Sequence, residues 1–278
     1  VINLSVSPRT DQNQNILGSV IAIEDITDIS KVKNTFNFLN DLAIEKRKQT
    51  NSIIIAITGS AGKTSLKNLI NDLLNNFGNT YSSPRSFNNH LGVPISLSNL
   101  STKDKFGVFE VGMSKAGEIK NLSKSIDILI NNAGGSPLND ALKASNKFHE
   151  AIIDLNLSAP LNVSQRFAKI MIKQKTVSNI INISSVTATR PTPGSAAYGA
   201  AKGGLVNLTK TLAIEWAPKI KVNSIIVGYI ETENSILHYG SKKEINKVAK
   251  TIPMKRMGKP EDIAKACICL LYTSDAAD

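Results

Sequence analysis

The sequence predicts an α/β protein: a doubly wound, mostly parallel sheet preceded by an N-terminal β-hairpin. Three observations carry that prediction. Apolar runs of strand length recur near residues 53–58, 106–111, 126–131, 179–184 and 221–227. Between several of them lie stretches with apolar residues at helical spacing, as expected of parallel strands joined by helical crossovers. Glycine, asparagine and serine gather where the runs end, and wound sheets place their sites at the carboxyl ends of strands.

Taken in order, the first 30 residues alternate apolar and polar side chains in two runs, residues 1–6 and 18–23, around the polar stretch Asp11-Gln12-Asn13-Gln14-Asn15. A period of two with a polar turn predicts a hairpin. Glu24-Asp25-Ile26-Thr27-Asp28 closes its second run. From about Asn34 the period becomes helical, through Phe36, Leu39, Leu42 and Ala43. Ser52-Ile53-Ile54-Ile55-Ala56-Ile57 reads as a buried strand, and it feeds Thr58-Gly59-Ser60-Ala61-Gly62-Lys63-Thr64-Ser65 and a helix to about Asn76. Ile126-Asp127-Ile128-Leu129-Ile130 is the next buried run, ending in Asn131-Asn132-Ala133-Gly134-Gly135. One long helix is predicted from about Phe148 to Gln174, a strand at Asn179–Ile183 ending in Ser184-Ser185, a helix from Tyr198 to about Ala217, and a strand at Lys221–Val227 leading into Gly228.

Composition narrows the function classes. A chain of 278 residues can bury a sizeable core, and 41% hydrophobic with 20% charged residues excludes wholesale disorder. The net charge of +11 comes from scattered Lys and Arg, with one tight cluster at Lys46-Arg47-Lys48 and only 5% aromatics. A nucleic-acid surface calls for clustered basic residues interleaved with stacking aromatics, so no nucleic-acid partner is expected. No apolar run reaches the roughly 20 residues of a membrane span. The chain opens on Val1 without a charged-then-apolar leader; the expectation is a chain whose true beginning lies upstream and which carries no signal peptide. Cys267 and Cys269, one residue apart, form neither a disulfide framework nor a metal site and fit a reducing, cytoplasmic setting.

Two constellations carry chemistry. In the first, a strand, a glycine loop, Lys63-Thr64 and a helix follow one another as in a phosphate-binding loop. Gly59 and Gly62 let backbone N–H groups approach phosphate oxygens, the helix start adds positive potential, Lys63 neutralises charge and Thr64 can hold Mg²⁺. The strict spacing asks for glycine where Ile57 stands, and an ordinary strand-to-helix turn is the alternative. In the second, Tyr198 and Lys202 stand four residues apart and so share a helix face. An ammonium beside a phenol favours the phenolate and lowers the tyrosine pKa from near 10. Ser185, at a strand end, can hydrogen-bond a carbonyl or alcohol oxygen. Tyr–Lys pairs at this spacing are mostly solvated surface, so the pair gains meaning only with its companions.

Several segments resemble known families. Residues 56–64, then Ser86-Phe87-Asn88-Asn89-His90-Leu91-Gly92-Val93-Pro94, then Phe109-Glu110-Val111-Gly112-Met113 with Gly117-Glu118-Ile119 resemble three ordered motifs of the Mur ligases, in particular the branch that adds D-alanyl-D-alanine, over residues 34–123. The resemblance implies an ATP phosphate loop at Gly59, Gly62, Lys63 and Thr64, with Mg²⁺ on Thr64 and Glu110. The family's later metal-binding His, its carbamylated Lys and its C-terminal domain have no counterpart here. Over residues 124–268, Asn131-Asn132-Ala133-Gly134, Asn156, Ser185, Tyr198 and Lys202 resemble the short-chain dehydrogenase/reductases. Val227-Gly228-Tyr229-Ile230-Glu231-Thr232 looks like that family's "PGxxxT" segment, with Val227 for proline, and residues 256–264 look like its "RxGxPEDIA" stretch. This resemblance implies a Rossmann-like fold and NAD(P)-dependent hydride transfer. Ser185 would position the substrate oxygen and Tyr198 would be the general acid/base. Lys202 would bind the nicotinamide ribose and tune Tyr198, and Asn156 would hold a relay water. Asn131, Ala133, Gly134, Gly228 and Thr232 would join Tyr198 and Lys202 around the cofactor, NAD or NADP. The family's "TGxxxGxG" loop is not found ahead of residue 124, because Lys63-Thr64 stands where Gly-Ile-Gly is wanted.

Residues 1–33 resemble the last strands of a PAS domain, and residues 269–278 resemble a translated transposase adapter from sequencing libraries. The sequence thus reads as a composite with joints near Lys33, Lys124 and Ile268. Each joint cuts through a domain, which favours assembly of parts over an evolved fusion. Three functions follow: an oxidoreductase acting on a small carbonyl or alcohol, impaired in this chain; an ATP-dependent Mur-type amide ligase; and a nucleotide-binding module without turnover. The dehydrogenase parent implies a homo-oligomer. Because the halves did not evolve together, packing faults and reduced stability are expected between residues 34–123 and 124–268.

Overall fold

A computed structural model describes residues 4–10, 16–23, 29–59, 62–85, 87–89, 91–112, 126–233 and 235–272. Strands β1 (Leu4–Thr10) and β2 (Ile16–Ile23) pair antiparallel as their own two-stranded sheet, the hairpin read from the alternation. Its turn at 11–15, the acidic stretch at 24–28, the segment 113–125 with the expected joint at Lys124, the Gly117-Glu118-Ile119 motif, and Ser60, Ala61, Ser86 and His90 lie outside the described residues.

Helix α1 (Ile29–Lys48) precedes a six-stranded sheet made of β3 (Ile53–Thr58), β4 (Thr80–Ser82), β5 (Phe106–Val111), β6 (Ile128–Asn131), β7 (Ser178–Ser185) and β8 (Ile220–Val227). Its order is β4-β5-β3-β6-β7-β8, and every neighbouring pair is parallel. The chain first fills one side of β3, with β4 at the edge and β5 inserted between β4 and β3, and then builds outward on the other side through β6, β7 and β8. The crevice between β3 and β6 is therefore the topological switch point, where wound sheets bind ligands. In the dinucleotide-binding order 3-2-1-4-5-6 the second strand lies beside the first. Here the third sheet strand of the chain, β5, takes that place.

β5 and β6 are buried along their whole length, and β3 from Ile54 onward, as expected of strands covered on both faces. The helices complete two layers. Ala43 of α1, Val93 and Leu97 of α3 (Gly92–Ser98), Val163, Phe167 and Met171 of α5 (Ala159–Met171), and Leu212 of α6 (Ala196–Glu215) form one apolar cluster with Ile54, Ala56, Phe109, Leu129 and Ile180. On the opposite face Leu66, Ile70 and Leu74 of α2 (Lys63–Leu74) meet Ala264, Cys267 and Ile268 of α9 (Pro260–Tyr272) over Ile55, Ile57, Ile130 and Ile181.

Both clusters take residues from before and after residue 124, so the two halves share both apolar layers. Asp127, just ahead of β6, explains part of the fit. Its carboxylate accepts the Ile54 amide at 2.8 Å and the Arg47 guanidinium at 3.2 Å, while Arg47 also donates to the Ser52 carbonyl at 2.8 Å. Asn132 N donates to Thr58 O at 3.0 Å at the other end of the pair. The adapter-like tail is not set apart either: α9 runs on to Tyr272, Leu270 and Leu271 pack on the second cluster, and Asn179 donates to the Leu270 carbonyl at 3.2 Å. Residues 273–278 lie outside the described residues.

Two elements differ from the sequence expectation. The helix predicted over 148–174 is α4 (Asn146–Ile153), a wider π-helical turn at Asp154–Ser158, then α5. Pro160 has no N–H to offer the carbonyl four residues back, that of Asn156, and the helix opens there. The short edge strand β4 was not anticipated, because three half-buried residues carry no readable period.

Asp127 joins α1, β3 and β6, so its loss leaves the Ile54 amide without its carboxylate acceptor and takes an opposite charge away from a partly buried guanidinium. Asp127→Ala is expected to lower unfolding stability by about 2 kcal/mol in urea denaturation, and Asp127→Asn by less. A change below about 0.5 kcal/mol for the alanine variant contradicts the role given to this carboxylate.

Candidate active site

β6, β7 and β8 end on the same edge of the sheet. A cleft of about 210 Å³ opens there, lined by Asn132, Ala133, Gly134, Ile183, Ser184, Ser185, Tyr198, Lys202, Val227 and Gly228. β7 delivers Ser185 as its last residue, and the Ser185 hydroxyl accepts the Thr187 amide at 3.3 Å, starting a single tight turn at Val186–Ala188. α6 delivers Tyr198 and Lys202. Its small residues allow the approach: a Cβ on Gly199 would stand 3.2 Å from the Thr187 carbonyl, and one on Gly204 3.0 Å from Leu157. The Ser184 hydroxyl then donates to the Lys202 carbonyl at 3.1 Å, fastening helix to strand.

Lys202 is 2% exposed. Its ammonium donates to the Ile183 carbonyl at 2.9 Å and the Ala133 carbonyl at 3.3 Å, so it bridges the exits of β7 and β6. An ammonium has three N–H donors. Two are taken, leaving one for a ligand of the cleft. Burial lowers the Lys202 pKa to about 8. Gly134 must lack a side chain, since a Cβ there would lie 2.7 Å from Lys202 Nζ and 2.9 Å from Asn156 Oδ1.

Tyr198 departs from the sequence expectation. Its pKa is raised, not lowered: burial is the main cause, and a hydrogen bond with the Ser185 side chain only partly opposes it. The Lys202 ammonium faces the Tyr198 ring, 5.9 Å from its centroid, and is engaged by two carbonyls. Ser185, Tyr198 and Lys202 nonetheless meet at one cleft, the convergence that the sequence anticipated.

Asn156 is fully buried in the π-helical turn. Its amide nitrogen donates to Gly135 O at 3.0 Å and Ile152 O at 2.8 Å, and its Oδ1 accepts Gly135 N at 3.0 Å. The side chain thus clamps the loop after β6.

Asn131 supports the cleft from below rather than lining it. Its amide donates to Ser164 Oγ at 2.9 Å and Asn182 Oδ1 at 2.8 Å, and Thr58 Oγ1 donates to its Oδ1 at 3.1 Å. Asn182 in turn donates to Thr209 Oγ1 at 2.9 Å, which carries the buried polar chain from β3 to α6. Ala133, Gly134 and Gly228 line the cleft as expected. Thr232 does not: it is exposed, and its amide donates to Ser235 Oγ at 2.8 Å ahead of α7 (Ser235–Tyr239). Asn132 and Ser184 belong to the lining although the sequence reading gave neither a role. Their neighbours in the Asn131–Gly134 and Ser184-Ser185 strand ends were the available signal.

The phosphate-loop residues also come together. Thr64 Oγ1 donates to Glu110 Oε2 at 2.8 Å, Asn88 donates to Glu110 Oε1 at 2.8 Å, and Lys63 donates to the Gly59 carbonyl at 2.6 Å. Gly62 has φ +71° at the start of α2. A Cβ on Gly59 would come within 3.0 Å of the Asn132 backbone, so this loop packs directly on the loop after β6. No cluster of three or more His, Cys, Asp or Glu that could hold a metal occurs among the described residues. Nor does any described helix have the length and apolarity to cross a membrane.

Comparison with known proteins finds two families along the chain. Residues 114–278 match the family model described as enoyl-(acyl carrier protein) reductase, and residues 57–132 match that of the Mur ligase middle domain. The 3-oxoacyl-acyl-carrier-protein reductase FabG of Aquifex aeolicus is 32% identical over 87% of this chain and 89% of its own length. The UDP-N-acetylmuramoyl-tripeptide–D-alanyl-D-alanine ligase of Buchnera aphidicola is 46% identical over 36% of this chain, but only 23% of the ligase is spanned. The solved structure of a 4-hydroxyisoleucine dehydrogenase mutant complexed with NADH and succinate superposes with a TM-score of 0.61 at 29% identity, covering 81% of this chain and 93% of that one. The chain belongs to the short-chain dehydrogenase/reductase family of NAD(P)-dependent oxidoreductases, with a Mur-ligase-like segment that overlaps the start of the reductase match.

The buried ammonium has a measurable consequence. The ordinary lysine value is 10.5 and the folded value about 8, so between those pH values the unfolded chain binds more protons. Stability must therefore rise with pH across that window, and below it the burial penalty is present in full. Relative to Lys202→Met, which cannot titrate, the native protein is expected to gain unfolding stability from pH 8 to 10.5. A pH-independent difference between the two contradicts the lowered value.

Proposed function

We propose that Ser185, Tyr198, Lys202 and Asn156 perform this chain's oxidoreductase chemistry on a small carbonyl or alcohol, with NAD or NADP as cofactor. The observation that carries the proposal is that Ser185, Tyr198 and Lys202 line one cleft at the carboxyl ends of β6, β7 and β8, with the Lys202 ammonium held in its wall by two strand-end carbonyls. The donor set suits a nicotinamide nucleoside: Lys202 has one uncommitted N–H, and the glycine at 134 keeps the wall open. Lys202, Asn132, Ala133, Gly134 and Gly228 would hold it, and when bound it supplies or accepts the hydride.

In reduction, the Ser185 and Tyr198 hydroxyls both donate to the substrate oxygen. Tyr198 releases its proton as negative charge develops there. Burial keeps the phenol protonated, which is the form an acid needs. The Lys202 charge opposes the cost of the resulting phenolate across the ring face it already occupies. The Asn156 carbonyl can accept a water through which the proton is replaced. In oxidation the same groups act in reverse, with Tyr198 as base.

The expected impairment rested on the missing dinucleotide loop. In this fold Gly59, just past β3, packs against the Asn132 backbone at the switch point beside the cleft, which supports cofactor binding by the composite chain. A small-molecule substrate, a homo-oligomer and a reducing cytoplasmic setting complete the proposal. The Thr64–Glu110 contact favours a second activity, Mg·ATP binding at the phosphate loop, but amide ligation would need parts beyond the segment shared with the ligases.

Tyr198→Phe is expected to reduce kcat for NAD(P)H-dependent reduction of a 3-oxoacyl thioester by roughly 100-fold or more, while the thermal shift produced by the dinucleotide persists. Retention of most activity in that variant refutes the assignment of Tyr198 as the acid.

A further inference from the structure

Beside the catalytic cleft, and sharing Gly228 with it, lies a larger cavity of about 460 Å³. Its walls are mostly apolar: Val186 from the turn after β7, Tyr229 and Ile230 after β8, and Ile252, Pro253 and Met254 after α8 (Lys242–Thr251). The size suits a small organic ligand. Three charged side chains reach it: Arg190, Arg256 and Asp262. Two of these neutralise each other. Arg256 donates to Asp262 at 2.9 Å, and the same carboxylate accepts the Lys259 amide at 2.9 Å, which together hold Asp262 below the usual carboxylate range.

Arg190 has no such partner. Among the described residues no carboxylate lies within ion-pair distance of it, and its guanidinium sits 5.7 Å from the Tyr229 ring centroid. A stack on an aromatic face holds the plane of an arginine without neutralising its charge, and it leaves the N–H fork to bind an anion. The cavity therefore combines apolar walls with one uncompensated, aromatically braced cation at its rim.

We infer that the substrate is an amphipathic anion, an apolar carbonyl compound whose carboxylate or phosphate is bound by Arg190. This rests on the proposed hydride chemistry for what happens at the carbonyl, but the anion preference is a binding property and is measured without turnover. Ser185, Tyr198 and Lys202 would then act on the carbonyl, and Arg190 would decide which carbonyl compounds stay bound. The bound apolar chain would lie along Val186, Ile252 and Met254.

The test is calorimetric titration of the full chain with three probes of like apolar chain: hexanoate, hexyl phosphate and the neutral methyl hexanoate. At least one anion is expected to bind roughly ten-fold more tightly than the ester. Arg190→Ala should remove that preference and leave ester binding unchanged; Arg190→Lys should restore part of it. Lys242→Ala, which removes an exposed charge on α8, should leave the preference intact and so exclude a general effect of net charge. The anion that binds more tightly identifies the head group. Equal affinity for the ester and both anions, absence of binding by all three probes, or equal weakening of all three by Arg190→Ala overturns the inference. A chain that shows the Arg190-dependent preference yet transfers no hydride overturns the proposed chemistry and leaves this inference standing.

Discussion

The parallel pairing of β3 with β6 is the contact on which the remaining structure depends, because it joins the strands on either side of the switch point into one sheet. Ile55 lies beside Ile128 and Thr58 beside Asn131, and the paired strands are buried on both faces. Asp127 ties the lower end of the pair to α1, and the Asn132 amide ties the upper end to Thr58. Above that upper end the loop after β6 is pressed between Gly59 on one side and Lys202 with Asn156 on the other. A slip of one residue in the pairing would turn Ile128 and Ile130 to the wrong face and carry the Ala133 carbonyl away from the lysine.

Lys202 shows the conflict between stability and function most plainly. An ammonium taken out of water is costly, and its lowered pKa expresses that cost. Two carbonyls at strand ends compensate in part, while the third donor has no partner among the described residues. A site arranged only for stability would hold an apolar residue here. The retained cation instead faces the tyrosine ring and the cleft, where it can act on a phenolate and on a ligand hydroxyl. The polar chain Thr58–Asn131–Asn182–Thr209 under the cleft is hydrogen-bonded from end to end and fixes the relative positions of β3, β6, β7 and α6, so the cleft is framed by fixed elements.

Much of this was legible in the sequence where a pattern has one physical meaning. Continuous apolar runs located β3, β5 and β7 within a residue or two, and the four-residue spacing of Tyr198 and Lys202 placed both on α6 beside Ser185. What escaped was set by tertiary environment. The direction of the Tyr198 shift depends on burial and on where the ammonium points, neither of which spacing specifies. Pro160 was the visible sign of the break between α4 and α5, but helical period alone ran through it. The fit between the halves was also hidden. It rests on Asp127, an acidic residue inside an apolar run, whose partners Arg47 and Ile54 lie more than seventy residues earlier in the chain.

The joined sheet can be tested by native-state hydrogen exchange of the Asn132 amide, which donates to Thr58 across the pair, against core amides of β7. If β3 and β6 belong to one cooperative sheet, the Asn132 amide exchanges only with global unfolding and shows the same opening free energy and denaturant dependence as β7. Exchange of Asn132 through a smaller opening, insensitive to denaturant while β7 stays protected, would mean that the halves part at β3–β6 and that the cleft is not held as described.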